Sequence, residues 1–130
     1  NIIKLASNES PLGPSDNAQR AIRKALRGIS LYPEGSSIRL REGIAKKEGI
    51  RSGNIIVGNG SNEIIELILR AFLNEGEEVI TGTPSFLVYA LSVKISNGRL
   101  IEVPLDYYTF DLDAISKRIT SKTKIIFICN

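Results

Sequence analysis

Residues 54–73, NIIVGNGSNEIIELILRAFL, hold an apolar run, a glycine-rich bend and a second apolar run with a different period. The first run, 54–57, is short and β-branched and predicts a strand; the second, with Ile64, Ile65, Leu67, Ile68, Leu69, Ala71 and Phe72, predicts a helix over 61–73. Apolar residues occupy so much of this helix's circumference that it is expected to be buried on nearly all sides. The bend, 58–63, reads GNGSNE. Its small and polar residues leave the first-turn amides of the helix open, and a helix N-terminus carries unpaired N–H groups and about half a positive charge. Two readings stand together here: Ser61 or Asn62 caps the helix, or the turn holds an anion such as a phosphate. The bend is not a P-loop, because no Gly-Lys-Ser/Thr follows, and it lacks the third glycine of the dinucleotide fingerprint.

Outward from this unit the same alternation continues. Strands are predicted over 78–81, 99–103 and 124–128, with helices over 85–96 and from an Asp111 cap to Ile119. Four strand signals separated by helices define an α/β protein with a mostly parallel sheet and helices on both faces. On the N-terminal side, prolines and a glycine in residues 4–15 give an extended arm. Ser15 or Asp16 caps a helix with Ala18, Ala21, Ile22, Ala25 and Leu26 on one face, ended by Gly28. After the turn at Tyr32-Pro33, a second helix capped by Ser36 or Ser37 has Leu40 and Ile44 on its buried side. The organisation is residues 1–35 as arm, first helix and turn, and residues 36–130 as part of a larger domain.

The chain has 130 residues, 42% hydrophobic composition and a net charge of +3. Its basic residues are dispersed, which disfavours nucleic-acid binding. Histidine is absent, so Ser-His and Cys-His nucleophile pairs and the commonest metal ligand are excluded, and no metal site is expected. The lone cysteine, Cys129, is expected to be a buried, inert thiol in a reducing compartment. No apolar run reaches the roughly 20 residues that span a bilayer, so a soluble, cytoplasmic protein without membrane contact is expected. The chain opens with Asn, not Met, and stops directly behind the apolar run 124–129, which suggests a fragment.

Residues 4–14 (KLASNESPLGP), Tyr32-Pro33, 58–63 and 84–89 (PSFLVY) together resemble the histidinol-phosphate aminotransferase family. The likeness runs in order through nearly the whole chain. It implies the fold-type I architecture of enzymes using pyridoxal 5′-phosphate (PLP), with amino transfer between histidinol phosphate and the 2-oxoglutarate/glutamate pair in histidine biosynthesis. By that resemblance the cofactor phosphate sits at Gly60, Ser61 and Asn62, and Phe86 lies over the cofactor ring. Tyr32 reaches the phosphate in trans from the partner of a homodimer, and Asn8, Glu9 and Tyr89 lie on the substrate side. From spacing alone Phe86 is a core residue, and a buried tyrosine is the plain alternative for Tyr89. The family commonly carries an acidic residue where Asn62 stands.

The resemblance also implies what these residues do not supply. The lysine that carries the cofactor lies beyond residue 130, so no catalytic residue is expected within the chain. Ser116-Lys117 and Ser121-Lys122 are decoys. The residue range 54–57 would lack its sheet neighbours, because the family inserts later strands between it and the next three. Another fold-type I enzyme, an aromatic aminotransferase or a threonine-phosphate decarboxylase, shares the same cradle. A non-enzymatic phosphate- or nucleotide-binding module is the alternative from a different class.

Overall fold

The structure, a computed structural model, describes Ile3 and residues 9–129. The chain divides into two compact units, one ending at Ile38 and the other beginning at Arg39. In the first, helix α1 (Asp16–Ala25) begins where the Ser15 hydroxyl accepts the Ala18 amide at 3.3 Å, one of the two predicted caps. Asp16 in its first turn and Arg23 and Lys24 in its last complement the helix dipole. Its apolar residue Ile22 and Leu26, which caps its C-terminus, are exposed. The Glu34 carboxylate accepts the amides of Ser36 (2.8 Å) and Ile38 (2.6 Å), closing the turn into the next helix.

The second unit holds most of helix α2 (Ile38–Glu48), whose Arg41 donates to the Ser52 carbonyl at 2.9 Å. Leu40, expected on a buried side, is exposed, because no element of this unit covers that face of α2. A 3₁₀ turn, Ser52–Asn54, then leads into residues 55–58, which belong to no strand. Ile55 has extended angles (φ −117°, ψ 127°), but no described strand pairs with the segment, as the resembled topology implies.

Helix α3 (Gly60–Phe72), strand β1 (Glu78–Thr83), helix α4 (Leu87–Ile95), strand β2 (Arg99–Pro104), helix α5 (Leu112–Lys117) and strand β3 (Thr123–Phe127) follow. The three strands form a parallel sheet in the order β2-β1-β3. Side chains alternate across it, so consecutive residues of β1 feed two different cores. Val79 packs with Ile65 and Leu69 of α3 and Val93 of α4 on one face. Ile80 packs with Val103 and Ile115 of α5 on the other. Leu69, Val79, Ile80 and Val93 are fully buried, each contributing about 1.5–3 kcal/mol relative to an exposed side chain.

Helix α3 is less buried than its composition predicts: only Ile65 and Leu69 are buried. The sheet covers one stripe, while Ile64, Leu67, Ile68 and Phe72 line an apolar groove of about 250 Å³ with Ile56, where this unit places no second layer. Cys129 is also exposed, against expectation. Strand β3 ends at Phe127, so the thiol lies beyond the paired part of the strand.

At the amino edge, Glu78 is buried yet ionisable. Its carboxylate takes a hydrogen bond from the Thr120 hydroxyl at 2.6 Å and meets the Arg99 guanidinium at 3.3 Å, joining β1 to β2 and to the loop before β3. Glu78→Ala in the full-length protein should lower stability by about 1–3 kcal/mol, whereas Arg99→Ala, removing the exposed partner, should cost under about 1 kcal/mol. Urea-unfolding midpoints of the two variants check the order.

Candidate functional site

Connectivity places two loops at one end of the sheet. Helix α3 is joined to the start of β1 by residues 73–77, so its C-terminus lies at the amino edge and its first turn at the carboxyl edge. A helix of this length spans about 20 Å and a six-residue strand about the same. Helix α4 starts just after β1, so Phe86 lies at that edge too. The strand order reverses around β1, with β2 on one side and β3 on the other. Open α/β sheets bind ligands outside the carboxyl ends of their strands at such a reversal.

The turn before α3 is built by two glycines for two different reasons. Gly60 has φ +82°, a left-handed value that side chains resist, and a Cβ there would face open space. Gly58 needs its bareness for packing: a Cβ would lie 2.9 Å from Glu63 Oε2 and 3.0 Å from Ile64 Cδ1. Glu63 reaches back to accept the Asn59 amide at 2.5 Å and the Asn59 side-chain amide at 3.1 Å. It closes back on the N-cap residue Asn59 from four positions into the helix, a role that neither predicted reading of the bend gave it. The Gly60 amide is turned to the Gly58 carbonyl at 2.9 Å. The amides of Ser61 and Asn62 remain, and helix geometry gives them no intrahelical acceptor. A dianion accepting from these two groups therefore has an open approach along Gly60.

Phe86 occupies the N-cap position of α4 in extended conformation (φ −69°, ψ 116°) and is 42% exposed. It lines a cavity of about 230 Å³ with Thr81, Thr83, Tyr89, Leu100 and Glu102. The Tyr89 ring meets Phe86 edge-on, at 5.7 Å between centroids and 88° between planes. On its other side Tyr89 stacks on Phe127 at 4.5 Å and 9°. Burial, with a smaller effect of the neighbouring Cys129 side chain, pushes the Tyr89 hydroxyl above the ordinary tyrosine range. The neutral hydroxyl is thus favoured, and any stability this adds is present below the unfolded pKa and lost as pH rises through the folded one.

The structure brings Phe86 and Tyr89 into contact and sets the first turn of α3 at the same edge. Tyr32 is fully exposed in the N-terminal unit, Glu9 is exposed there, and Asn8 lies outside the described residues. Sequence reasoning missed Phe127; its signal was the alternation with Ile125 along β3, which puts both on the α3–α4 face. Lys122 carries the carbonyl that accepts the Glu78 amide, at the amino edge and so opposite the site, and Lys117 ends α5. No group of His, Cys, Asp and Glu among the described residues could hold a metal ion, and no described helix is long and apolar enough to cross a membrane.

A parallel α/β sheet with an open helix N-terminus and a half-exposed aromatic ring at its switch point offers the two features, free amides and a flat apolar face, that a phosphate-bearing ring compound needs. The family model for aminotransferase class I and II matches residues 1–130, and the chain belongs to that family. It is 46% identical over 129 residues to the histidinol-phosphate aminotransferase of Caldicellulosiruptor saccharolyticus, covering 99% of this chain and 36% of that one. The histidinol-phosphate aminotransferase of Sinorhizobium meliloti, solved in complex with pyridoxal-5′-phosphate, superposes with a TM-score of 0.79 at 28% identity, over 84% of this chain and 30% of that one. The aromatic aminotransferase of Pyrococcus horikoshii OT3 gives 0.77 at 31% identity, over 86% and 33%. The chain spans about a third of the length of these relatives.

Gly60→Ala should cost about 1–2 kcal/mol in the full-length protein through the strained left-handed backbone alone. Gly60→Asn, tolerated better at positive φ, should recover part of that loss; thermal unfolding of both variants tests the ranking.

Proposed function

We propose that this chain forms the part of a histidinol-phosphate aminotransferase that seats the phosphate of PLP and one face of its ring. The carrying observation is a single turn, 58–63, that has open amides at Ser61 and Asn62 and lies within a match of 46% identity to a protein of that name. The residues present fit the group: an open helix N-terminus takes a dianion, and a half-exposed phenyl ring takes a flat heteroaromatic face. When bound, PLP supplies an electron sink for the bonds at the substrate's α-carbon.

The chain's own contribution is binding and orientation. The Ser61 and Asn62 amides and the Ser61 hydroxyl donate to the phosphate, and the α3 dipole reinforces them. Asn62, where the family often carries an acid, keeps a second carboxylate away from that charge. Phe86 presents its face to the ring and excludes water from it. Tyr32 completes the phosphate cradle from the partner subunit of a homodimer, and Asn8 and Glu9 close over the substrate. The substrate pair is histidinol phosphate with 2-oxoglutarate/glutamate, and the setting is the cytoplasm, in line with a single free thiol. Proton movement at the α-carbon falls to a lysine outside these residues, since Lys122 sits at the opposite edge of the sheet and Lys117 at the end of α5.

The likeness to the P. horikoshii aromatic aminotransferase favours a second reading with the same cradle and a different amino donor. Full-length protein should develop a visible PLP band and transfer nitrogen from histidinol phosphate to 2-oxoglutarate in preference to aromatic amino acids. Preference for the aromatic donors selects the second reading; no PLP band removes both. Ser61→Ala should raise the PLP dissociation constant about tenfold, the loss of one hydrogen bond to a charged group, with visible absorbance titration as the check.

A further inference from the structure

Phe86 needs a device to fix its plane. It stands outside the regular turns of α4 and is 42% exposed. Rotation about the terminal ring bond of a phenylalanine is broad, so exposure of this degree leaves the ring orientation underdetermined. A stacking residue whose plane wanders gives up much of its contact with a flat ligand.

Tyr89 supplies what Phe86 lacks. Its amide donates to the Phe86 carbonyl at 3.1 Å, which ties the two backbones together. Its ring edge-to-face contact at 5.7 Å and 88° is a preferred aromatic geometry. Phe127, itself packed against the buried core of α3, β1 and α4, stacks flat on the far side of Tyr89 at 4.5 Å and 9°. The core thus holds Phe127, Phe127 holds Tyr89, and Tyr89 holds Phe86. The Tyr89 hydroxyl has Cys129 of this same chain as its neighbour.

We propose that Tyr89 is a positioning residue, wedged between Phe127 and Phe86, whose ring fixes the plane of Phe86 for stacking on the cofactor and whose hydroxyl is not a substrate ligand. This rests on the reading of Phe86 as the residue over the PLP ring. It differs from the family resemblance, which sets Tyr89 on the substrate side.

The test uses the full-length holoenzyme with four substitutions: Phe86→Leu, Tyr89→Leu, Tyr89→Phe and Phe127→Leu. Three readouts are taken: PLP dissociation constant by visible absorbance, visible circular dichroism of bound PLP, and kcat and KM separately. Tyr89→Leu is expected to weaken PLP binding about three- to tenfold and to diminish the visible dichroic band, as removal of an aromatic contact should. Phe127→Leu should shift both readouts in the same direction by less and keeps the test alive if Tyr89→Leu fails to fold. Tyr89→Phe should match the parent enzyme within about twofold in all three. Wild-type PLP affinity and dichroism in Tyr89→Leu or, where that variant does not fold, in Phe127→Leu, with Phe86→Leu impaired, would overturn the proposal alone. A large rise in substrate KM in Tyr89→Phe, with PLP binding intact, would also overturn it, by making the hydroxyl a ligand. If Phe86→Leu leaves PLP binding and dichroism unchanged, the assignment of Phe86 falls and this proposal with it.

Discussion

The burial of β1 on every side is the constraint on which the second unit depends. It is hydrogen-bonded to β2 along one edge and to β3 along the other, and Val79 and Ile80 are fully buried on opposite faces. A central strand of a parallel sheet must satisfy its amides laterally and its side chains vertically at once. Helices α3 and α4 have to lie on the Val79 face and α5 on the Ile80 face, because nowhere else can their apolar stripes be removed from water. Gly82 belongs to the same constraint. A Cβ there would fall 2.6 Å from Leu105 Cδ2 and 2.8 Å from Phe110 Cε1, so the chain after β2 folds against bare backbone.

That arrangement explains why the candidate site lies at one end of the sheet. Once α3 and α4 run antiparallel to the strands they flank, both N-termini point to the carboxyl edge, and their dipoles add there. The sheet reversal around β1 opens the space between the loops that follow β1 and β3. Phe86 and Tyr89 come from the first of those loops and the helix behind it, and Phe127 from the end of β3. What unites them is the edge of one strand, not proximity in sequence.

The alternation of strand and helix was legible because period-2 and period-3.6 patterns are local, and the caps at Ser15 and Asp111 and the strands from 78, 99 and 124 were read within a residue or two. Burial was less legible. Helix α3 has an apolar circumference suited to coverage on all sides, yet hydrophobicity cannot say which neighbour does the covering, and its Ile64–Phe72 face is open in this unit. Residues 54–57 show the same limit from the other side: Asn54 closes the 3₁₀ turn and Ile55 is extended, but a strand exists only with a partner. Cys129 looked buried because the apolar run continued through it, whereas the ladder stops two residues earlier. Within the candidate site, the Gly58–Glu63 bend and Phe86 were readable as motifs, while the Phe127–Tyr89–Phe86 row was not, since it depends on a contact between residues 38 positions apart.

The electrostatics of the bend give a physical reason for its composition. No lysine or arginine occurs in 58–63, so any anion there is held by neutral dipoles rather than by opposite charge. Glu63 sharpens the point, because its carboxylate is committed to the Asn59 backbone and side-chain amides on the near side of the turn. Held there, it fixes the bend, and it leaves the Ser61 and Asn62 amides, further into the helix, as the donors still unspent. A second acid at position 62 would stand beside both the Glu63 carboxylate and a bound dianion, with cost growing as water is excluded. An amide at 62 avoids that repulsion while keeping a polar, helix-compatible side chain in the first turn.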